Sequence, residues 1–196
     1  IDKLVIENFK GFKDRFTLSL NKGLNIVVGD NEAGKSTILE AINLALTGLY
    51  NGRYLQNELS QYLFNNEAVE EYLNSLTTDN PFPPPSILIE LYLEGEERPF
   101  LKGTKNTDVA DCSGVFLKVE FDDSYMPVYE ELIKSGDLKT LPIEYYRIVW
   151  KGFSRDPITA RNIPLKSAFI DSSSTKFSNG SDVYISRIVK ELLTPD

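Results

Sequence analysis

An α/β architecture is predicted by three features of the 196-residue chain. Residues 24–28 form an apolar run that leads into a loop bounded by Gly29 and Gly34 and then into a helical pattern, with Ile38, Ala41, Ile42, Ala45 and Leu46 on one face and Gly48 as a stop. Period-two alternation marks strands: Phe16, Leu18 and Leu20 in one, Ile87, Ile89, Leu91 and Leu93 in another, and Val115, Leu117, Val119 and Phe121 in a third. Helical periodicity returns around residues 55–76 and 185–193.

The loop carries the chemistry. Gly29-Asp30-Asn31-Glu32-Ala33-Gly34-Lys35-Ser36-Thr37 fits the pattern GxxxxGK[ST]. Two residues without Cβ let the backbone curl with its N–H groups turned inward, close to phosphate oxygens. The helix that opens at Lys35 adds free N–H groups and a positive dipole end. Lys35 suits the β- and γ-phosphates, the Ser36 hydroxyl suits Mg²⁺, and Thr37 stands near the α-phosphate. The pattern predicts a nucleotide site.

Composition narrows the remaining classes. The chain has no histidine, which excludes Ser-His chemistry and His-ligated metals, and its single cysteine, Cys112, excludes an internal disulfide. No run of eighteen apolar residues and no leader pattern occurs, so a cytoplasmic protein without a membrane role is expected. The chain begins at Ile1 and its one methionine is Met126, which suggests a trimmed N-terminus. A net charge of -8 argues against a protein that coats nucleic acid with its whole surface. Nine acids and no Lys or Arg occur from Tyr54 to Glu97. Between residues 147 and 166 the balance reverses, so Arg147, Lys151, Arg155 and Arg161 are the candidates for nucleic-acid contact, with Tyr145, Tyr146, Trp150 and Phe153 either stacking on bases or filling a strand core.

In chain order, residues 3–8 and 14–20 are predicted as a ribbon joined at Lys10–Lys13, and residues 24–28 as a buried strand before the loop and helix. The part from 51 to 85 reads as an acidic helical insert, with Leu55, Leu59, Tyr62 and Leu63 on one helix and Val69, Tyr72, Leu73 and Leu76 on a second, followed by a proline-rich connector. Residues 86–196 read as strands with a hairpin extension or mobile loop over 95–114, a short helix at 126–134, strands at 143–150 and 165–170, and a last helix. One domain divided 1–50, 51–85 and 86–196 is expected.

The segments KLVIENFKGFKD and GLNIVVGDNEAGKSTILEAINLALTG together resemble the N-terminal half of ATPase heads in the SMC, RecF and OLD (overcoming lysogenization defect) group, P-loop NTPases of the ABC type. Asn8-Phe9-Lys10, Gly23-Leu24-Asn25, Asn31 and Ile38-Leu39-Glu40-Ala41-Ile42 match in order; the likeness is close over about the first 50 residues and general beyond. The GDNEAGKST variant and the strand-rich continuation look most like an OLD-type nuclease. The resemblance implies ATP and Mg²⁺ held by Gly29, Asp30, Asn31, Glu32, Ala33, Gly34, Lys35, Ser36 and Thr37, with Asn8 and Lys10 near the nucleotide from the ribbon side. It also implies a homodimer or larger homo-oligomer closed around ATP, DNA as a partner of the full-length protein, and a role in defence or repair.

Such heads also need a glutamine loop, an apolar strand ending in Asp-Glu and a signature loop. Gln56 and Gln61 are the only glutamines and lie in the insert; Ile170-Asp171 is followed by Ser172, and Ser178-Asn179-Gly180-Ser181 reads as a helix cap. No Asp-x-Asp of a Toprim nuclease occurs. The chain therefore reads as the front part of an incomplete head, with no certain catalytic residue. Three alternatives remain at the level of sequence: a small phosphotransferase with Arg147, Arg155 and Arg161 as a lid, a GTPase switch with Asp111-Cys112-Ser113-Gly114 as DxxG, and an ATP-switched binding module without nuclease.

Overall fold

The computed structural model of the chain describes residues 1–95, 98–136 and 138–169. Eight strands and four α-helices occur among them: β1 (Lys3–Glu7), β2 (Phe16–Ser19), α1 (Lys35–Thr47), β3 (Leu49–Tyr50), β4 (Arg53–Tyr54), α2 (Leu55–Glu58), α3 (Asn66–Ser75), β5 (Ile87–Tyr92), β6 (Lys102–Gly103), β7 (Cys112–Phe121), α4 (Met126–Ser135) and β8 (Tyr146–Gly152). The main sheet runs β2-β1-β5-β7, and β6 and β8 share the far edge of β7. Every pairing in it is antiparallel.

Side-chain alternation divides this sheet into two faces. Leu4 and Ile6 of β1, Ile87, Ile89 and Leu91 of β5, and Val115, Leu117 and Val119 of β7 are buried against Ile38, Ala41, Leu44 and Ala45 of α1 and against Val69 and Tyr72 of α3. The opposite face carries a smaller apolar cluster of Val5, Tyr92, Phe116 and Phe153. The predicted ribbon and the period-two strands are therefore present, and so is the helix at 126–134.

Three expectations need correction. Residues 24–28 form no strand: Leu24, Ile26 and Val28 are 83%, 75% and 84% exposed. A buried strand needs neighbours on both sides, and among the described residues no strand pairs with this run. The first predicted insert helix is only the one-turn α2 and a 3₁₀ turn at Gln61–Leu63, with Leu59 and Ser60 extended between them. The backbone there is drawn to the ribbon tip, where Leu63 O accepts from Lys10 N–H at 2.9 Å and Asn65 N–H donates to Asn8 O at 3.0 Å. Tyr62 consequently faces solvent. Finally, residues 165–169 join no strand; Leu165 packs on the core and Ser167 donates to Asn43 Oδ1 of α1 at 2.9 Å. The predicted helix over 185–193, together with Asp171 and Ser178–Ser181, lies outside the described residues.

The loop before β7 is better ordered than its polar composition suggests. Glu90, 3% exposed, accepts from Thr107 N–H with both carboxylate oxygens, at 3.0 and 3.1 Å, and from the Tyr92 hydroxyl at 3.1 Å. Asn106 closes the loop on itself through Gly103 O and Ala110 O. A buried carboxylate that accepts several bonds fixes a loop that few apolar residues hold.

Candidate nucleotide site

The chain from Asn21 to Ala33 is exposed, and it turns into α1 at Gly34. Gly34 has φ 84°, and no side chain caps the helix start. The first N–H groups of a helix have no intrahelical acceptor, so an uncapped start leaves donors for an anion. Glu32 also has a positive φ, 68°, and Ala33 N–H closes the turn on Asp30 O at 3.2 Å. The Lys35 ammonium donates to Gly29 O at 2.8 Å and to Asp30 O at 2.5 Å, so it lies within the curl of the loop. A triphosphate here would meet the Lys35 cation and the N–H groups of the uncapped α1 start, with the Ser36 hydroxyl beside them for Mg²⁺, and these residue types fit a nucleotide.

The ribbon approaches the same site. Phe12 packs on Gly34, and the Lys10 ammonium pairs with Glu40 of α1 and stands 5.0 Å from the centre of the Tyr50 ring. Burial would lower the Lys10 pKa; the Glu40 carboxylate and the Tyr50 hydroxyl outweigh it, and the ammonium is held above its ordinary value. The Asn8 side chain donates to Ser86 O at 3.1 Å. Lys10 is thus brought to the loop helix, whereas Asn8 ties the ribbon to the start of β5.

The basic stretch does not gather at this site. Arg147 donates to Glu120 at 2.8 and 3.1 Å and lies 3.7 Å from Asp122. Lys151 is on the same face of β8, Arg155 forms a turn with φ 79°, and Arg161 is exposed. The aromatic residues answer as core. Tyr146 and Phe153 are buried, Tyr145 stacks on Tyr125, and the Trp150 indole N–H donates to Ala45 O at 2.8 Å. Tyr146 and Phe153 are thus closed to bases, and Tyr145 and Trp150 are half-buried partners of Tyr125 and α1. Asp111-Cys112-Ser113-Gly114 runs into β7, where Gly114 lies against the Phe153 ring, so it is sheet and not a phosphate-sensing loop. Gln61 accepts from Leu141 N–H at 3.2 Å.

An open groove of about 500 Å³ lies between the ribbon, α3 and the proline-rich connector. Its Lys13 and Arg15 face Glu7, Asp14 and Glu71, with Lys13 paired to Glu71 and Arg15 to Glu7. It offers a phosphate no net positive charge, and the loop remains the site the chemistry favours.

Residues 3–151 match the family model of the AAA domain. The chain is 26% identical over 131 residues to the DNA replication and repair protein RecF of Clostridium novyi (strain NT), which covers 67% of this chain and 35% of that protein. It is 38% identical over 68 residues to the Retron Ec83 probable ATPase of Escherichia coli, covering 34% of this chain and 11% of the relative. To the chromosome partition protein Smc of Desulfitobacterium hafniense (strain Y51) it is 29% identical over 113 residues, covering 52% and 9%. The chain spans about a third or less of the length of these relatives. With the loop, the ribbon and the antiparallel sheet in place, the chain belongs to the AAA domain family, as a P-loop head of the SMC and RecF type.

Proposed function

We propose that the chain is the nucleotide-binding front part of an ATPase head, and that it works within a longer protein whose remaining sequence supplies the Asp-Glu strand, the signature loop and a DNA-processing domain of OLD-type nuclease chemistry or a related defence or repair activity. Two heads close around ATP and Mg²⁺ in this reading, and the full-length protein acts on DNA in the cytoplasm. The carrying observation is the Lys35 ammonium held inside an exposed, uncapped loop at the start of α1. Hydrolysis in such a site depends on positioning and charge neutralisation rather than covalent chemistry, so Gly29–Thr37 bind and orient while the attacking water is managed elsewhere.

Binding of a fluorescent ATP analogue with Mg²⁺ to the full-length protein tests the site. Lys35→Ala is expected to weaken binding by about 100-fold, in line with loss of a charge-assisted contact to phosphate. Equal affinity of the variant and the parent would overturn the assignment. The small phosphotransferase reading loses Arg147 from its lid, because Arg147 is already engaged by Glu120 and Asp122.

A further inference from the structure

The ribbon tip holds two non-glycine residues in the left-handed region, Asn8 at φ 54° and Lys10 at φ 50°, on either side of the fully buried Phe9. Such backbone persists only where the surroundings hold it. Here the insert supplies the hold. Lys10 N–H donates to Leu63 O, Asn65 N–H donates to Asn8 O, and Asn65 Nδ2 donates to Lys10 O at 2.8 Å. The other end of the same amide, Asn65 Oδ1, accepts from Ala68 N–H at 3.2 Å and caps α3. Asn65 is 8% exposed and uses both ends of its side chain, one for the helix and one for the ribbon.

From this backbone Lys10 reaches Glu40 on α1. Glu40 follows Ser36 by four residues on one helical face, roughly 6 Å along the axis. An unpaired carboxylate there repels a triphosphate; Lys10 cancels it. We infer that Asn65 is a positioning residue for the nucleotide site: by fixing the Lys10 backbone it sets the charge beside the loop, and it couples the α3 insert to nucleotide binding. The inference rests on the reading of Gly29–Thr37 as a nucleotide site. Coupling of this kind is reciprocal, so ATP also steadies the insert.

The test uses the full-length protein and a fluorescent ATP analogue with Mg²⁺. Asn65→Asp keeps an oxygen for the Ala68 cap and places an acceptor against Lys10 O. It is expected to weaken ATP binding at least fivefold, Lys10→Ala to do the same, and the double variant to be no weaker than Lys10→Ala alone. Wild-type affinity in Asn65→Asp, or losses that multiply in the double variant, would overturn the coupling. A measurement on the unaltered protein stands beside it: saturating Mg-ATP is expected to slow hydrogen exchange at the Lys10, Asn65 and Ala68 amides, and unchanged exchange there overturns the proposal. A parent protein that bound no nucleotide would bring down the site itself. Binding weakened by Lys35→Ala but indifferent to Asn65→Asp would leave the site and bring down the coupling alone.

Discussion

The ring of Phe12 lies so close to the α-carbon of Gly34 that a methyl group added there would stand 2.9 Å from it. Phe12 is in turn packed on Phe16, with ring centroids 4.5 Å apart, so the ribbon props the phosphate loop at the point where α1 begins. Gly34 therefore answers two demands at once. Its φ of 84° disfavours any side chain, and the Phe12 ring leaves no space for one.

Gly34→Ala is accordingly expected to lower stability by about 1–2 kcal/mol from backbone strain alone and to abolish ATP binding. Phe12→Ala relieves the contact but not the φ, so the double variant is expected to remain unable to bind. Urea unfolding with ATP-analogue titration measures both effects. Recovery of binding in the double variant would show that the ring, and not the backbone, sets the requirement.

The far end of α1 has a matching support. Gly48 ends the helix with φ 68°, its N–H donates to Leu44 O at 2.8 Å, and a Cβ there would stand 2.9 Å from the Trp150 ring. The Trp150 indole also satisfies Ala45 O, one of the carbonyls that a helix end leaves open. Trp150→Phe loses the hydrogen bond and shortens the ring that meets Gly48, and is expected to cost about 1–3 kcal/mol in chemical denaturation. ATP affinity should change less than about twofold, because the α1 end that Trp150 supports is some 20 Å from the loop by the rise of a thirteen-residue helix. A large loss of affinity without loss of stability would place Trp150 in the site.

How much of this was legible in the sequence depended on whether the signal was local. Gly29, Gly34, Lys35 and Ser36 declare a phosphate loop because each answers a short-range demand, and Leu117 or Ile89 declare strands by alternation alone. The clasp of Glu90 on Thr107 was not legible, since nothing near either residue reveals a bond across seventeen positions. The break after Glu58 was hidden for a similar reason: Leu55, Leu59 and Leu63 keep helical spacing, yet hydrogen bonds from the ribbon tip override it. Trp150 and Tyr146 were ambiguous as stacking or core residues, and only the position of α1 and α4 against β8 decides for the core.

Glu120 gives a pH dependence with a definite sign. Burial pushes its carboxyl up, but hydrogen bonds from Lys118 and Arg147 outweigh that and hold it below the ordinary range. A carboxylate whose folded pKa is depressed stabilises the fold above its unfolded pKa, ordinarily about 4.3, and that contribution is lost as the pH falls through the lower folded value. Glu120→Gln is expected to reduce stability by about 1 kcal/mol at neutral pH, as partly exposed ion pairs do. The gap between variant and parent should hold above about pH 5 and close on acidification below the ordinary glutamate range. Denaturation curves at several pH values measure it; a gap that widened in acid would contradict the assignment.

Leu24, Ile26 and Val28 remain the sharpest mismatch between composition and environment. An apolar run of this length ahead of a phosphate loop encodes burial, and in the chain of 196 residues these side chains face solvent. If the head is completed by further sequence, as proposed, the run acquires neighbours there. Val28→Asp is then expected to leave the stability of the 196-residue chain within about 0.5 kcal/mol, because an exposed site tolerates charge, and to cost the full-length protein about 2–3 kcal/mol or more, the scale of removing a buried valine. Hydrogen exchange gives the same contrast without mutation: amides of residues 25–28 are expected to exchange freely in the short chain and to be protected in the long one. Equal exposure in both would mean that the run is not a sheet strand in either, and the completed-head proposal would lose its structural basis.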